Sequence, residues 1–257
     1  MRRYNGPMSE RELISGFWGS LSYGEGLALQ ARLRQGVKDG SGEEHLLLLE
    51  HTHVYTLGRN ATVEDVLLTP EALEACGVEV HESDRGGQVT YHGPGQLVGY
   101  PIINLSPDRR DIRAYVKDLQ QVLIRLLADY GVAAEVREGQ DFIGVWAGGG
   151  KIASIGVHVS RWVTTHGFAL NVAPDLSFFT GIVACGLPAV KMTSIAELTD
   201  RVVPLPEIAE VCARHLAARF GRRLVYRPDG APARVSAARS GNRKVRRAAS
   251  ESKVVSE

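Results

Sequence analysis

The sequence predicts an α+β fold, a mixed and largely antiparallel sheet flanked by helices. Short apolar runs bounded by Gly, Pro, Asn and Asp recur along the chain and are mostly joined by tight turns. Helical patterns fall between groups of these runs rather than after each of them, which excludes a regular βαβ winding.

The elements follow in order. "ELISGFWGSL" (12–21) reads as a strand, and "SYGEGLALQARLRQGV" follows with helical spacing at Leu27, Ala31 and Arg34. "EHLLLLEH" (44–51) is a continuous apolar run of the kind a strand buried on both faces requires. "TPEALEACG" places Pro in a first helical turn and Gly past the end. "VEVHES" alternates as a strand does, and "QVTYH" and "LVGYPIINL" are two more strands joined by "GPG". The strongest helix is "DIRAYVKDLQQVLIRLLADYG", where Ile112, Tyr115, Val116, Leu119, Val122, Leu123, Leu126, Leu127 and Tyr130 keep the helical period and Gly131 ends it. "AEVRE", "FIGVWAG", "KIASIGVHVSR" and "TTHGFALNV" read as an antiparallel meander. "DLSFFTGIV" and "LPEIAEVCARHLAARFG" are the remaining helices, and "RRLVYR" is a last strand.

Totals narrow the function classes. The chain has 257 residues, 44% apolar, enough for one large core. A net charge of +1 gives no overall field toward nucleic acid or membrane. No apolar run reaches membrane-spanning length, and the N-terminus lacks the apolar stretch of a secretory signal. Cys76, Cys185 and Cys212 are odd in number and far apart, a poor disulfide or zinc framework, so a reduced, cytoplasmic protein is expected. Residues 229–257 carry seven basic and three acidic residues and no aromatic, and are expected to form a solvated tail outside a 1–228 catalytic domain.

The glycine motifs are not nucleotide loops. "HGPGQLVG" is followed by a strand where a dinucleotide fold needs a helix, and "AGGGK" lacks the first Gly and the Ser/Thr of a P-loop. His51 and His53 would share one strand face, but no further ligands complete a metal set. Cys185 stands at a Gly-flanked turn, unlike Cys212 within its helix, so its thiol is a candidate nucleophile. A thiolate needs a stabilising partner, and Lys151, His92 and His166 are all candidates by sequence. A lysine at a strand start is more commonly a surface charge.

Four motifs in this order, "RGGQVTYHGPGQLVGYPI", "GGKIASIGVHV", "THGFALNV" and "ACGL", resemble the lipoyl(octanoyl) transferase family, as does "LEHTHVYTLGR", where the family usually has Pro at position 53. The resemblance runs from about Leu13 to Arg227. It implies a fold related to biotin and lipoate protein ligases. It also implies transfer of an octanoyl group from octanoyl-acyl carrier protein to a lysine of lipoyl domains, in 2-oxoacid dehydrogenases and the glycine cleavage H protein. No metal, ATP or other cofactor is implied, because the thioester is already activated. Carried over by motif, Cys185 is the acyl-thioester nucleophile and Lys151 the group that lowers its pKa. Arg85, Gly86, Gly87, Gln88, Val89, Thr90, Tyr91 and His92 form one wall of the acyl site. Ser154, Ile155 and Gly156, then Gly167, Phe168 and Ala169, form two more, with His166 as an accessory group.

Overall fold

The structure is a computed structural model and describes residues 11–139, 143–183 and 190–229. Cys185 with its "ACGL" motif, and the tail from residue 230, lie outside the described residues.

An eight-stranded sheet forms the body of the protein. Its strands are β1 (Glu12–Leu21), β2 (Glu44–His51), β6 (Gln96–Ile102), β7 (Ala134–Glu135), β8 (Gly144–Ala147), β9 (Gly150–Ser160), β10 (Val163–Asn171) and β11 (Arg223–Tyr226), in the order β11-β1-β2-β6-β10-β9-β8-β7. Only β11–β1 and β1–β2 pair in parallel; all other neighbours are antiparallel. A smaller sheet, β4-β3-β5, is made of β3 (Val54–Leu57), β4 (Glu79–Glu82) and β5 (Val89–His92). The mixed, largely antiparallel architecture expected from the sequence is therefore present.

The apolar run of β2 explains the layering. Leu46 and Leu48 turn to one face and pack with the helices α3 (Ile112–Asp129) and α5 (Leu205–Phe220). Leu47 and Leu49 turn to the other and pack under α1 (Tyr23–Lys38). Both faces are buried, so polar alternation is lost. Side-chain caps fix the helix starts: Ser22 and Glu25 form a capping box on α1, and Asp111 accepts the Ala114 N–H on α3. Short α2 (Pro70–Ala75) and α4 (Ile195–Thr199) complete the helices among the described residues.

Several expectations need correction. The buried stripe of α1 is Leu29, Leu33 and Val37, whereas Leu27 and Arg34 are half-buried and Ala31 is exposed. The two stripes share the i, i+4 spacing, and only the sheet beneath selects one. Ile112 begins α3 but is exposed. "DLSFFTGIV" forms a single 3-10 segment, Leu176–Gly181, instead of an α-helix. β2 ends at His51, so His51 and His53 do not share a strand face. β3 and α4 were not anticipated. β5 and β6 belong to different sheets, and the "GPG" turn carries the chain between them. Gly95 at φ +81° lies so close to the Ala173 carbonyl that no Cβ fits there.

Candidate active site

The segment 85–92 is anchored from both ends. The guanidinium of Arg85 is buried and donates to the Thr56 carbonyl at 2.6 Å and the Thr56 hydroxyl at 2.8 Å. It thereby pins the loop to β3. Gly86 N–H donates to Val157 O on β9 at 3.0 Å, and a Cβ on the facing Gly156 would stand 2.8 Å from Gly86 O. Gly156 thus lets loop and strand meet backbone to backbone, and Gly87 supplies φ +90° within the loop. Gly87 is exposed and Gln88 half-buried; Val89, Thr90, Tyr91 and His92 are buried. Val89 and Tyr91 face the core of the small sheet with Phe179 and Met192. On β9, Ser154, Ile155 and Gly156 are half-buried. On β10, Phe168 packs into the α3–α5 core against Gly99, whereas Ala169 packs on the α1 side. A Cβ on Gly167 would overlap the Gly99 carbonyl.

His92 meets residues that the sequence did not single out for this site. Its ring stacks on Tyr23 (6.3 Å, 13°) and lies 5.9 Å from His51. His51 Nδ1 is 2.8 Å from the Leu21 carbonyl, an acceptor, so Nδ1 carries the proton. Nε2 then accepts from the Tyr100 hydroxyl at 2.7 Å. Tyr100 packs edge-on to His166, whose Nε2 donates to Asp84 Oδ1 at 2.6 Å. His166 stands at φ +56°, outside the usual range for a non-glycine residue, and its main-chain N–H donates to Gln30 Oε1 at 2.7 Å. Tyr23, His51 and Tyr100 come from α1, β2 and β6, and no spacing rule joins them.

Burial sets the charge of these rings. It pushes the His92 imidazole down to about 3 and His51 to about 4, and it lowers His166 against the pull of Asp84. His45, half-buried near Arg227 and Arg32, also falls to about 4. The unfolded chain protonates each near 6.5, so their contribution to stability is complete above that pH and is lost as pH falls toward 4. Each such imidazole steepens the loss by up to about 1.4 kcal/mol per pH unit. Thermal unfolding at pH 5 is therefore expected to take up about three protons through His45, His51 and His92, measured by calorimetry in buffers of different ionisation enthalpy. Uptake near zero would contradict neutral burial.

Lys151 is not a surface charge. It is 2% exposed, the second residue of β9, opposite Trp146 on β8. Its side chain runs across Gly144, where a Cβ would come within 2.6 Å of Lys151 Cε, and its Nζ lies 5.8 Å from the Trp146 ring centroid. Its main chain is clamped: Lys151 N–H donates to Lys191 O (2.8 Å) and Thr193 N–H donates to Lys151 O (3.1 Å). From Thr193 a buried polar chain returns to His92. Asn171 Nδ2 donates to Thr193 O at 3.0 Å, Gln96 Nε2 donates to Asn171 Oδ1 at 3.0 Å, and Gln96 Oε1 meets His92 Nδ1 at 2.8 Å. The structure thus links Lys151 to His92 through Thr193, Asn171 and Gln96. Of the other thiols, Cys76 is exposed and Cys212 is buried, its thiol pushed up to about 12 by desolvation. Among the described residues, no group of three or more His, Cys, Asp or Glu is placed to hold a metal, and no helix is long and apolar enough to cross a membrane.

Comparison with known proteins places this geometry in a family. Residues 22–217 match the lipoyl protein ligase A/B catalytic domain. The chain is 50% identical over 202 residues to the octanoyltransferase of Solibacter usitatus, covering 79% of this chain and 90% of that one. It is 57% identical over 176 residues to the octanoyltransferase of Gloeobacter violaceus, covering 68% and 75%. Among solved structures, the putative lipoate protein ligase of T. acidophilum with bound lipoic acid superposes with a TM-score of 0.67 at 15% identity, over 85% of this chain and 89% of that one. Lipoate-protein ligase A bound with ATP superposes with a TM-score of 0.65 at 15% identity, over 86% and 88%. The fold is shared with these ligases, while the sequence follows the transferases: the chain is an acyltransferase and belongs to the lipoyl protein ligase A/B catalytic-domain family.

Proposed function

We propose that the protein transfers an octanoyl group from octanoyl-acyl carrier protein to a specific lysine of lipoyl domains, those of 2-oxoacid dehydrogenases and the glycine cleavage H protein, by way of a thioester on Cys185. The relatives that carry the name octanoyltransferase support the acyl group. The observation that carries the route is the clamp on Lys151. Its main chain pairs with Lys191 and Thr193, and Lys191 stands six residues past Cys185. Six residues span at most about 20 Å even fully extended, so the chain length permits the thiol to reach Lys151. His92 and His166, the other candidate partners, are driven toward their neutral forms by burial and offer no positive charge to a thiolate. The lysine is the partner whose chemistry fits.

In the first half-reaction the Cys185 thiolate attacks the thioester carbonyl carbon. The carbon–sulfur bond to the carrier breaks, and the leaving carrier thiolate takes a proton from the Lys151 ammonium, which leaves Lys151 as a neutral amine able to accept a proton in the second half. In the second, the neutral amine of the acceptor lysine attacks the acyl-enzyme, the Cys185 thiolate is expelled, and the amine's proton passes to Lys151. Main-chain N–H groups in the glycine-rich turns, other than that of Gly86, which is held by Val157 O, are the donors assigned to the carbonyl oxygen as charge develops. Burial of the eight-carbon tail contributes roughly 5 kcal/mol at ~0.8 kcal/mol per methylene.

Intact-protein mass spectrometry tests this reading. Mixing with octanoyl-acyl carrier protein is expected to add one octanoyl mass to the wild type, removable by neutral hydroxylamine, and none to Cys185→Ser. Addition of a lipoyl domain should move that mass to its lysine. No adduct on either protein, together with ATP–pyrophosphate exchange on free octanoate, would replace the transferase with an ATP-dependent ligase.

A further inference from the structure

The buried polar chain between His92 and Lys151 has a fixed direction, set by two main-chain carbonyls. Thr193 O is an acceptor only, so the Asn171 carboxamide must turn its Nδ2 toward it, at 3.0 Å. Asn171 Oδ1 is then the acceptor for Gln96 Nε2, also at 3.0 Å. Gln96 Nε2 gives its other hydrogen to Tyr91 O at 3.2 Å, which fixes the amide in the same sense. Gln96 Oε1 therefore faces His92 Nδ1 as an acceptor, at 2.8 Å, and the proton of the neutral imidazole must reside on Nδ1. Gln96 and Asn171 are each 1% exposed, so water does not substitute for these contacts without cost. The same Thr193 donates its main-chain N–H to Lys151 O.

We propose that Asn171 is a positioning residue for the transfer: its carboxamide, together with the Tyr91 carbonyl, fixes which nitrogen of His92 bears the proton, and it holds in place the chain segment paired to Lys151. The inference rests on the octanoyl-transfer reading only for its kinetic consequence. The relay itself is readable without any turnover. Titratable groups reached by this chain of contacts are His92 through Gln96, Lys151 through the Thr193 main chain, and Glu197, which accepts the Thr193 hydroxyl at 3.0 Å.

Asn171→Asp is the informative variant because it is isosteric. An ionised carboxylate would set one oxygen against Thr193 O, acceptor facing acceptor, and break the relay there, while its other oxygen still accepts from Gln96 Nε2. A protonated one would donate its O–H to Thr193 O and restore it. Desolvation and the facing carbonyl both favour the protonated form. The ratio of variant to wild-type kcat is therefore expected to be near one at low pH and to fall about tenfold or more as the new carboxyl ionises. Asn171→Ala should show a comparable loss with no such pH dependence, and it covers the case in which the Asp variant fails to fold at neutral pH. KM for the lipoyl domain should change little in either. Nitrogen NMR of labelled His92 is the readout independent of activity: Nδ1 protonated in the wild type, a mixed or Nε2-protonated ring in Asn171→Ala. A wild-type ring protonated on Nε2, or an Asn171→Asp pH profile parallel to wild type, would overturn the proposal. A wild type with the Nδ1 proton in place but no octanoyl transfer would overturn the functional reading and leave the relay standing.

Discussion

Replacement of Lys151 with methionine is expected to lower kcat/KM for octanoyl transfer by roughly 10³-fold, within the range that loss of a positioned acid–base group produces. Methionine retains the linear stem that crosses Gly144 and removes only the ammonium at the Trp146 face. The fold should survive, because the stem that fills the space beside Gly144 is kept. Without the ammonium, the Cys185 thiol should titrate near the ordinary value of about 8.5. The rate of alkylation by iodoacetamide at pH 7 should drop in proportion to the lost thiolate. A Lys151→Met protein that is stable, alkylates as fast as wild type and still transfers octanoyl would remove Lys151 from the mechanism.

The sheet was largely legible in the chain because its strands obey simple patterns. Continuous apolar β2 announces a strand covered on both faces, and the meander 144–171 is marked by its strand patterns and by the glycine turn at 148–149 between β8 and β9. The small sheet was hidden. β3 is four residues long and opens directly after "HTH", which carries no turn residue to mark the border of a strand. The face of α1 was ambiguous for a geometric reason, since Leu27–Ala31 and Leu29–Leu33 have equal spacing and differ only in what lies beneath. At the site, Lys151 was singled out by its place after "AGGG", but its burial was contrary to the expectation for a strand-start lysine. Tyr23, His51 and Tyr100 were not singled out with the segment 85–92 because they converge on His92 only through tertiary packing. Asn171 and Gln96 lie inside motifs that stood out, "FALNV" and "GPGQL", yet nothing local marks an amide whose partners are 75 and 22 residues away.

Gly58 is where fold and site are coupled most tightly, and Gly58→Ala is expected to destabilise the protein by about 3 kcal/mol. Its backbone continues β3 into the loop opposite 85–88, with Gly58 N–H on Gln88 O, Arg59 N–H on Arg85 O and Asn60 N–H on Gly87 O. A Cβ at this position would overlap the Gly87 carbonyl oxygen, and would stand 2.7 Å from Arg85 Nη1 and 2.9 Å from the Gly87 carbonyl carbon. The guanidinium could rotate only by leaving the Thr56 carbonyl, and the Gly87 peptide could move only by breaking the Asn60 pairing. Neither relief is cheap, in contrast to Gly24 on α1, where an added Cβ meets nothing within 4 Å. For a domain of this size, 3 kcal/mol corresponds to a fall in Tm of roughly 6–12 °C. Gly24→Ala should lose nothing and gain helix propensity. The two variants also separate stability from substrate binding. Because the Gly58 clash displaces the Arg85–Gly87 wall, KM for octanoyl-acyl carrier protein should rise in Gly58→Ala well below its Tm. An unchanged KM there, with only Tm lowered, would mean that the 85–87 loop supports the fold but does not contact the acyl group.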